Sequence, residues 1–156
     1  MKIKTISKRC IELVAQFEGL RLKPYLCPAG VPTIGYGTTF YPNGKRVTME
    51  DPPITEEQAN NFLVPTLQNF AKYVDSFCRD DINQNQFDAL TSFCYNVGPT
   101  NMKKSTLLRK VNKDPNDPSI ADEFRKWGKS KGKVLKGLTR RREAELKLYF
   151  EPIKNA

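Results

Sequence analysis

Glu18, Cys27 and Thr33 stand in "FEGLRLKPYLCPAGVPT" with eight residues between the first pair and five between the second. A carboxyl, a thiol and a hydroxyl around a Pro/Gly turn suggest acid–base chemistry, with a cysteine where a second carboxylate would be expected. Whether the carboxyl suits that task depends on the helix that carries it. At about 100° per residue, Glu18 falls within about 20° of Ile11, about 40° of Val14 and about 60° of Ala15. It therefore ends an apolar stripe instead of facing water. It also stands in the last helical turn, where backbone carbonyls make the local potential negative. Both effects disfavour the ionised form, and a carboxyl kept protonated near neutral pH is what a general acid requires. An ion pair with Arg21, or with a distant arginine at a lobe interface, is the alternative. The helix by itself does not choose between them.

The turn offers a similar choice. If "PAGVP" connects two strands, Cys27 and Thr33 flank it across a hairpin and point to one face. Pro28 and Pro32 lack amide donors and suit loop ends better than a paired ladder. A purely structural hairpin, with a half-buried thiol and a β-favouring threonine, is the other reading. A free thiol is mostly protonated at pH 7, so Cys27 is expected to position water more than to act as a full base.

Several elements must hold these groups. Ser7 can cap a helix with Cys10, Ile11, Val14, Ala15 and Phe17 on one face, ended by Gly19. Thr55 opens "TEEQ", a capping box, and Pro65 should kink or split the helix that follows. Asn83 caps a third helix with Phe87, Leu90, Cys94 and Val97 on one face and Gly98 at its end. Ser105 and Ser119 are each expected to open a shorter helix, and a last helix runs through "RRREAELKLYF". Between Gly19 and Pro52 the chain reads as short strands, with Asn43-Gly44 a hairpin turn. The fold class is thus α+β in a single 1–156 domain: helix 7–19, a small antiparallel sheet lobe over 20–52, and a helical lobe over 53–156. A cleft between the lobes is a natural ligand site.

Composition narrows the function. The 156 residues include four cysteines without a CxxC pair and no histidine, so a Cys/His metal site is unsupported and no cofactor is expected. Cys10, Cys78 and Cys94 are expected to be free thiols serving as small apolar residues. The segment "MKIKTISKRC" lacks an apolar h-region and no stretch is long enough to span a membrane, so synthesis in the cytosol is expected. Of the net charge of +9, the segment 101–142 holds fourteen Lys/Arg against four Asp/Glu, or +10. Such a surface suits nucleic acid, an anionic membrane or an acidic wall polymer.

The longer stretches "FEGLRLKPYLCPAGVPTIGYGTT", "ITEEQANNFL", "NQFDALTSFCYNVGPTNMKKSTLL" and "FRKWGKSKGKVLKGLTRRREAE" resemble the bacteriophage-type lysozymes, the endolysins of glycoside hydrolase family 24, in order along nearly the whole chain. The resemblance implies cleavage of the β-1,4 bond between N-acetylmuramic acid and N-acetylglucosamine in peptidoglycan by a monomer. The family pattern is Glu, eight residues, Asp or Cys, five residues, Thr. It implies Glu18 as acid to the glycosidic oxygen, with Cys27 and Thr33 placing the attacking water. Tyr95, Asn96 and Ser105 are implied as sugar contacts lining the cleft. Thr38 departs from the pattern, where histidine is common after "TIGYG". On this reading the enzyme is made in the host cytoplasm and released to the wall, where the basic segment adsorbs to anionic polymers or membrane. A peptidoglycan-binding protein of low activity and a lytic transglycosylase are the near alternatives. A nucleic-acid-binding module built on the basic helices and Trp127 would leave the Glu/Cys/Thr spacing idle.

Overall fold

The computed structural model describes residue 3 and residues 5–130 and 132–153. The chain opens with helix α1 (Lys8–Glu18), whose first turn is capped by the Ser7 hydroxyl accepting from the Arg9 amide. Gly19, at φ +72°, ends it and donates its N–H to the Ala15 carbonyl. Strands β1 (Arg21–Leu26) and β2 (Pro32–Gly35) then pair antiparallel, with Tyr25 opposite Thr33 and Leu26 opposite Pro32. Isolated bridges Ile34–Thr38 and Phe40–Arg46 continue the small sheet region, and Asn43-Gly44 turns the second of them.

Helix α2 (Glu56–Phe77) starts at the Thr55 capping box, in which Thr55 and Gln58 satisfy each other's amides. It runs on through Pro65 without the expected split. The reason lies in its buried stripe, Ala59, Leu63, Leu67, Ala71 and Val74, which repeats every three or four residues on both sides of the proline. Ala59, Leu63 and Leu67 pack with Cys10, Val14 and Tyr36; Ala71 and Val74 belong to the larger core of the helical part. Breaking the helix at Pro65 would strip one of these two cores of a wall.

Helix α3 (Gln84–Val97) has the Asn83 capping box at its start and Gly98 at its end. Its sequence suggests one apolar face, yet every residue from Asn85 to Cys94 is buried. The polar members have partners: Thr91 donates to the Phe87 carbonyl, Asn85 to the Glu151 carbonyl, and Ser92 to the Glu145 carboxylate. α3 is therefore the central helix, wrapped by the others.

The remaining elements are α4 (Pro99–Lys104), α5 (Thr106–Lys113), α6 (Ile120–Arg125), the two-residue strands β3 (Lys129–Ser130) and β4 (Lys133–Val134), and α7 (Lys136–Phe150). Ser105 opens α5 as expected, accepting from the Leu108 amide. Ser119 does not open α6 in the expected way. Its own backbone is already helical, and Asp117 Oδ1 accepts from the Ser119 N–H and hydroxyl. The α4 turn and the β3–β4 hairpin carry no apolar periodicity, so pattern reading does not register them. Among the described residues no helix is long and apolar enough to cross a membrane.

Asp88, fully buried on α3, fastens α1 to this centre. It accepts from the Ser7 amide at 2.9 Å, from the Ser7 hydroxyl and from Gln84 Nε2 at 2.8 Å. Replacing Asp88 with alanine takes the acceptor from the half-buried Ser7 amide and hydroxyl and leaves Gln84 Nε2 only the Thr5 carbonyl, and should cost roughly 2–3 kcal/mol. Ser7→Ala, a cap loss, should cost about 1 kcal/mol. Urea unfolding of both variants checks the order; equal and negligible losses would show that the clasp does not hold α1.

Candidate active site

Glu18 ends α1 with its side chain 22% exposed, so it is neither buried nor free in solvent. The structure contains the ion pair with a distant arginine, and because the same carboxyl also faces the cleft, the two readings left open by the helix do not exclude each other. Arg141 Nη1, from α7, lies 3.6 Å from Glu18 Oε1, and the Arg141 side chain is only 4% exposed. Arg21 is engaged elsewhere, its guanidinium 4.3 Å above the Tyr25 ring.

The Glu18 carboxyl looks into a cleft of about 420 Å³ walled by Gly37, Thr38, Thr39 and Phe40 from the small lobe and by Thr66, Phe70, Tyr95 and Asn96 from α2 and α3. Gly37, at φ +83°, is required here. A Cβ at this position would stand 3.2 Å from the Tyr95 hydroxyl and 3.6 Å from the Glu18 carboxyl. Tyr95 donates to the Tyr36 carbonyl at 3.1 Å and packs edge-on against Phe70, which fixes the back of the cleft. Burial pushes the Tyr95 phenol well above its ordinary range, with the Glu18 charge adding to it. A second cavity, about 360 Å³, shares Glu18 and Asn96 and is bounded by Phe17, Leu135, Leu138 and Arg141. Thr38, at the position where histidine is common, exchanges both backbone hydrogen bonds with Ile34 and so closes the tight loop that presents Gly37.

Cys27 and Thr33 come together at the hairpin. Cys27 N–H donates to the Val31 carbonyl and its own carbonyl accepts from Gly30, which forms the turn. Thr33 is buried, with its hydroxyl donating to the Val31 carbonyl at 2.9 Å. The backbone N–H groups of Val31 and Ala29, aided by the Thr33 hydroxyl, pull the Cys27 thiol below its ordinary range against a smaller opposing effect of desolvation. The turn thus favours the thiolate. Neither Cys27 nor Thr33 lines the 420 Å³ cleft. Tyr25 feels both halves of the site: burial first, then the Glu18 and Cys27 charges, raise its phenol against the pull of Arg21.

The implied sugar contacts separate. Tyr95 and Asn96 line the cleft with Glu18. Ser105 is instead a buried cap whose hydroxyl donates to the Met102 carbonyl at 2.7 Å and accepts from Leu108, and it is not part of the cleft wall. It is fully engaged in starting α5.

Behind Glu18 lies a charge cluster that sequence reading does not assemble. Glu145 has no exposure to water. Its Oε2 accepts from the Ser92 hydroxyl at 2.5 Å and from Arg141 Nε at 3.3 Å. Arg142 Nε lies 2.8 Å from Glu145 Oε1, close but not aligned as a hydrogen bond, while its Nη2 donates to Glu145 Oε2 at 3.4 Å. Arg142 Nη2 donates to Asn96 Oδ1 at 2.8 Å, and its guanidinium lies 5.2 Å from the Phe93 ring centre. Burial pushes the Glu145 carboxyl up, and the guanidiniums of Arg142 and Arg141 pull it back. The available signal was the spacing in "RRREAE", where Glu145 follows Arg141 by four residues and Arg142 by three. Counting those arginines as basic surface hid it.

That surface needs the same correction elsewhere. Lys110 and Lys126 each lie 3.0 Å from the buried Glu123 carboxylate, and Arg125 binds Glu143 and Asp122. Exposed cations remain on α4, on the β3–β4 hairpin and at the start of α7, among them Lys103, Lys104, Lys129, Lys133 and Lys136. Lys131 of that hairpin is outside the described residues.

Comparison with known proteins shows the family. The phage lysozyme family model matches residues 15–145. An endolysin of Bacillus phage B103 is 44% identical over 145 residues, 93% of this chain, which spans 54% of that longer relative. An endolysin of Acyrthosiphon pisum secondary endosymbiont phage 1 is 40% identical, with 92% of this chain and 97% of the relative covered. Among solved structures, the endolysin from Escherichia coli O157:H7 phage FAHEc1 superposes with a TM-score of 0.87 at 34% identity, covering all of both chains. The muramidase domain of SpmX from Asticaccaulis excentricus superposes at 0.80 with 35% identity over 96% of this chain and all of that one. From the ordered match of sequence and of fold, the chain belongs to the phage lysozyme family of glycoside hydrolases.

Proposed function

We propose that this protein is an N-acetylmuramidase that lyses bacteria by hydrolysing the β-1,4 bond between N-acetylmuramic acid and N-acetylglucosamine of peptidoglycan, with Glu18 as the acid. The observation that carries the assignment is the Glu18 carboxyl at the cleft, fixed by Arg141 behind it and flanked by Tyr95 and Asn96. A glycan strand laid along the cleft puts a glycosidic oxygen at Glu18, which delivers a proton as the C–O bond breaks. Water attacks the opposite face of the developing oxocarbenium ion and loses a proton to solvent, from which Glu18 is reprotonated for the next turnover. Cys27 and Thr33 hold that water, the sulfur as acceptor and the Thr33 oxygen through the lone pair left by its bond to Val31. Direct attack inverts the anomeric centre, whereas a covalent adduct on Cys27 retains it. Tyr95 and Asn96 contact the sugars. The enzyme acts as a monomer, is made in the cytoplasm of the producing cell and works at the wall. There its exposed lysines adsorb to anionic polymers in a salt-dependent way.

Glu18→Gln should fold normally and lose on the order of 10²–10⁴-fold in activity on purified peptidoglycan, the usual worth of general acid catalysis. Mass spectrometry of the new ends separates hydrolysis from transglycosylation, since the latter leaves 1,6-anhydromuramic ends. A folded Glu18→Gln protein that clears walls at the wild-type rate would show that the acid is another group.

Iodoacetamide should label Cys27 ahead of Cys10, Cys78 and Cys94, which are buried. Burial raises the thiols of Cys78 and Cys94 to about 12 and that of Cys10 further still. Labelling should begin at a lower pH than for an ordinary cysteine and should abolish activity, while Cys27→Asp should stay active and resist the reagent. Full activity after complete Cys27 alkylation would remove the thiol from the mechanism.

Reversing the exposed Lys129 and Lys133 to Glu should weaken wall adsorption most at low salt and hardly change turnover of a short uncharged chitooligosaccharide. Equal losses on both substrates would place these lysines in the fold or the cleft.

A further inference from the structure

Glu145 is a fully buried carboxylate for which the muramidase reading has no use. Its surroundings touch both halves of the cleft machinery. Arg141 bonds Glu145 Oε2 through Nε and meets Glu18 through Nη1. Arg142 meets Glu145 through Nε and holds the Asn96 side-chain oxygen through Nη2. Ser92 pins the shared carboxylate from α3. We infer that Glu145 is a positioning residue: one buried carboxylate fixes Arg141 against the acid and Arg142 against the cleft amide.

The charge balance gives this role a sign. With Glu145 ionised, the Arg141 guanidinium is shared between two carboxylates. Without that charge, Arg141 keeps Glu18 as its one carboxylate partner and its attraction to that group is no longer divided. The other groups facing the pair do not compensate. Cys10 from α1 is held neutral by burial first, with Asp88 and Glu145 adding to it, and Tyr95 from α3 and Tyr25 from β1 are raised phenols. Asp88, on α3, is bound to Ser7 and Gln84.

The proposal rests on Glu18 being the acid, and its test carries that dependence. The pH dependence of turnover on soluble peptidoglycan fragments is measured for the wild type, Glu145→Gln, Arg142→Lys, Ser92→Ala and Glu18→Gln, below the melting temperature of each folded protein. Glu145→Gln should move the alkaline limb of kcat down by about one pH unit. It should also lower kcat by on the order of 10- to 10²-fold, the usual result of a small misplacement of a reacting group. Arg142→Lys keeps the charge but loses the fork to Asn96, and should raise KM with the limb unmoved. Ser92→Ala, a milder change that tests the same contact should Glu145→Gln fail to fold, should shift the limb in the same direction by less. A limb unmoved in every folded variant, or a rate loss that only follows the unfolded fraction, overturns the positioning role. If Glu18→Gln is inert while Glu145→Gln keeps the wild-type limb, only the positioning role falls. If Glu18→Gln remains fully active, the acid assignment falls and the proposal with it.

Discussion

A carboxylate without access to water is tolerated only where opposite charge and hydrogen bonds replace its hydration. Glu145 meets that condition with two guanidiniums and a serine hydroxyl, and the arrangement of α1, α3 and α7 follows from it. The arginines must leave α7 on the side facing α3, which sets the rotation of α7. Ser92 must face α7, which sets the rotation of α3. The end of α1 must arrive where Arg141 still has a donor left for Glu18. Removing one member of such a cluster strands the others, so the interaction specifies geometry more than it adds net stability.

Around this polar centre the apolar packing divides in two. Cys10, Val14, Tyr36, Ala59, Leu63 and Leu67 form the smaller core, and the α3-centred cluster with Phe87, Phe93, Phe124 and Tyr149 forms the larger. The cleft lies between the small-lobe loop at Gly37 and the helices that carry Phe70 and Tyr95. Its depth depends on Gly37 having no side chain, which lets the loop approach Glu18 and Tyr95 closely.

Much of this is legible in the sequence, for physical reasons that differ by element. Ser7, Thr55, Asn83 and Ser105 announce helix starts because capping is a local interaction, written within three or four residues. Gly19 and Gly98 mark ends for the same reason. What escapes is non-local. Nothing near Glu18 in sequence discloses that Arg141 will face it, and the all-round burial of α3 depends on partners as remote as Glu145 and Glu151. Ser105 and Ser119 show the limit in small: both are serines before helices, but only Ser105 caps, because Asp117 has already taken that part for α6. Charge counting over 101–142 finds the sign of the segment and misses that Arg141 and Arg142 are buried against carboxylates and that Lys110 and Lys126 are paired with Glu123.

The uninterrupted course of α2 has a mechanical consequence. Its first half is fixed in one core and its second half in the other, so the two walls of the cleft cannot separate without flexing this rod. Pro65 offers no N–H to the carbonyl of Asn61 one turn earlier, and Thr66 directs its hydroxyl to the Phe62 carbonyl beside that gap. The rod is therefore most compliant near its midpoint, beside the Thr66 wall of the cleft. Any widening of the cleft would therefore concentrate its bend at this point, where the helix has one backbone hydrogen bond fewer than elsewhere.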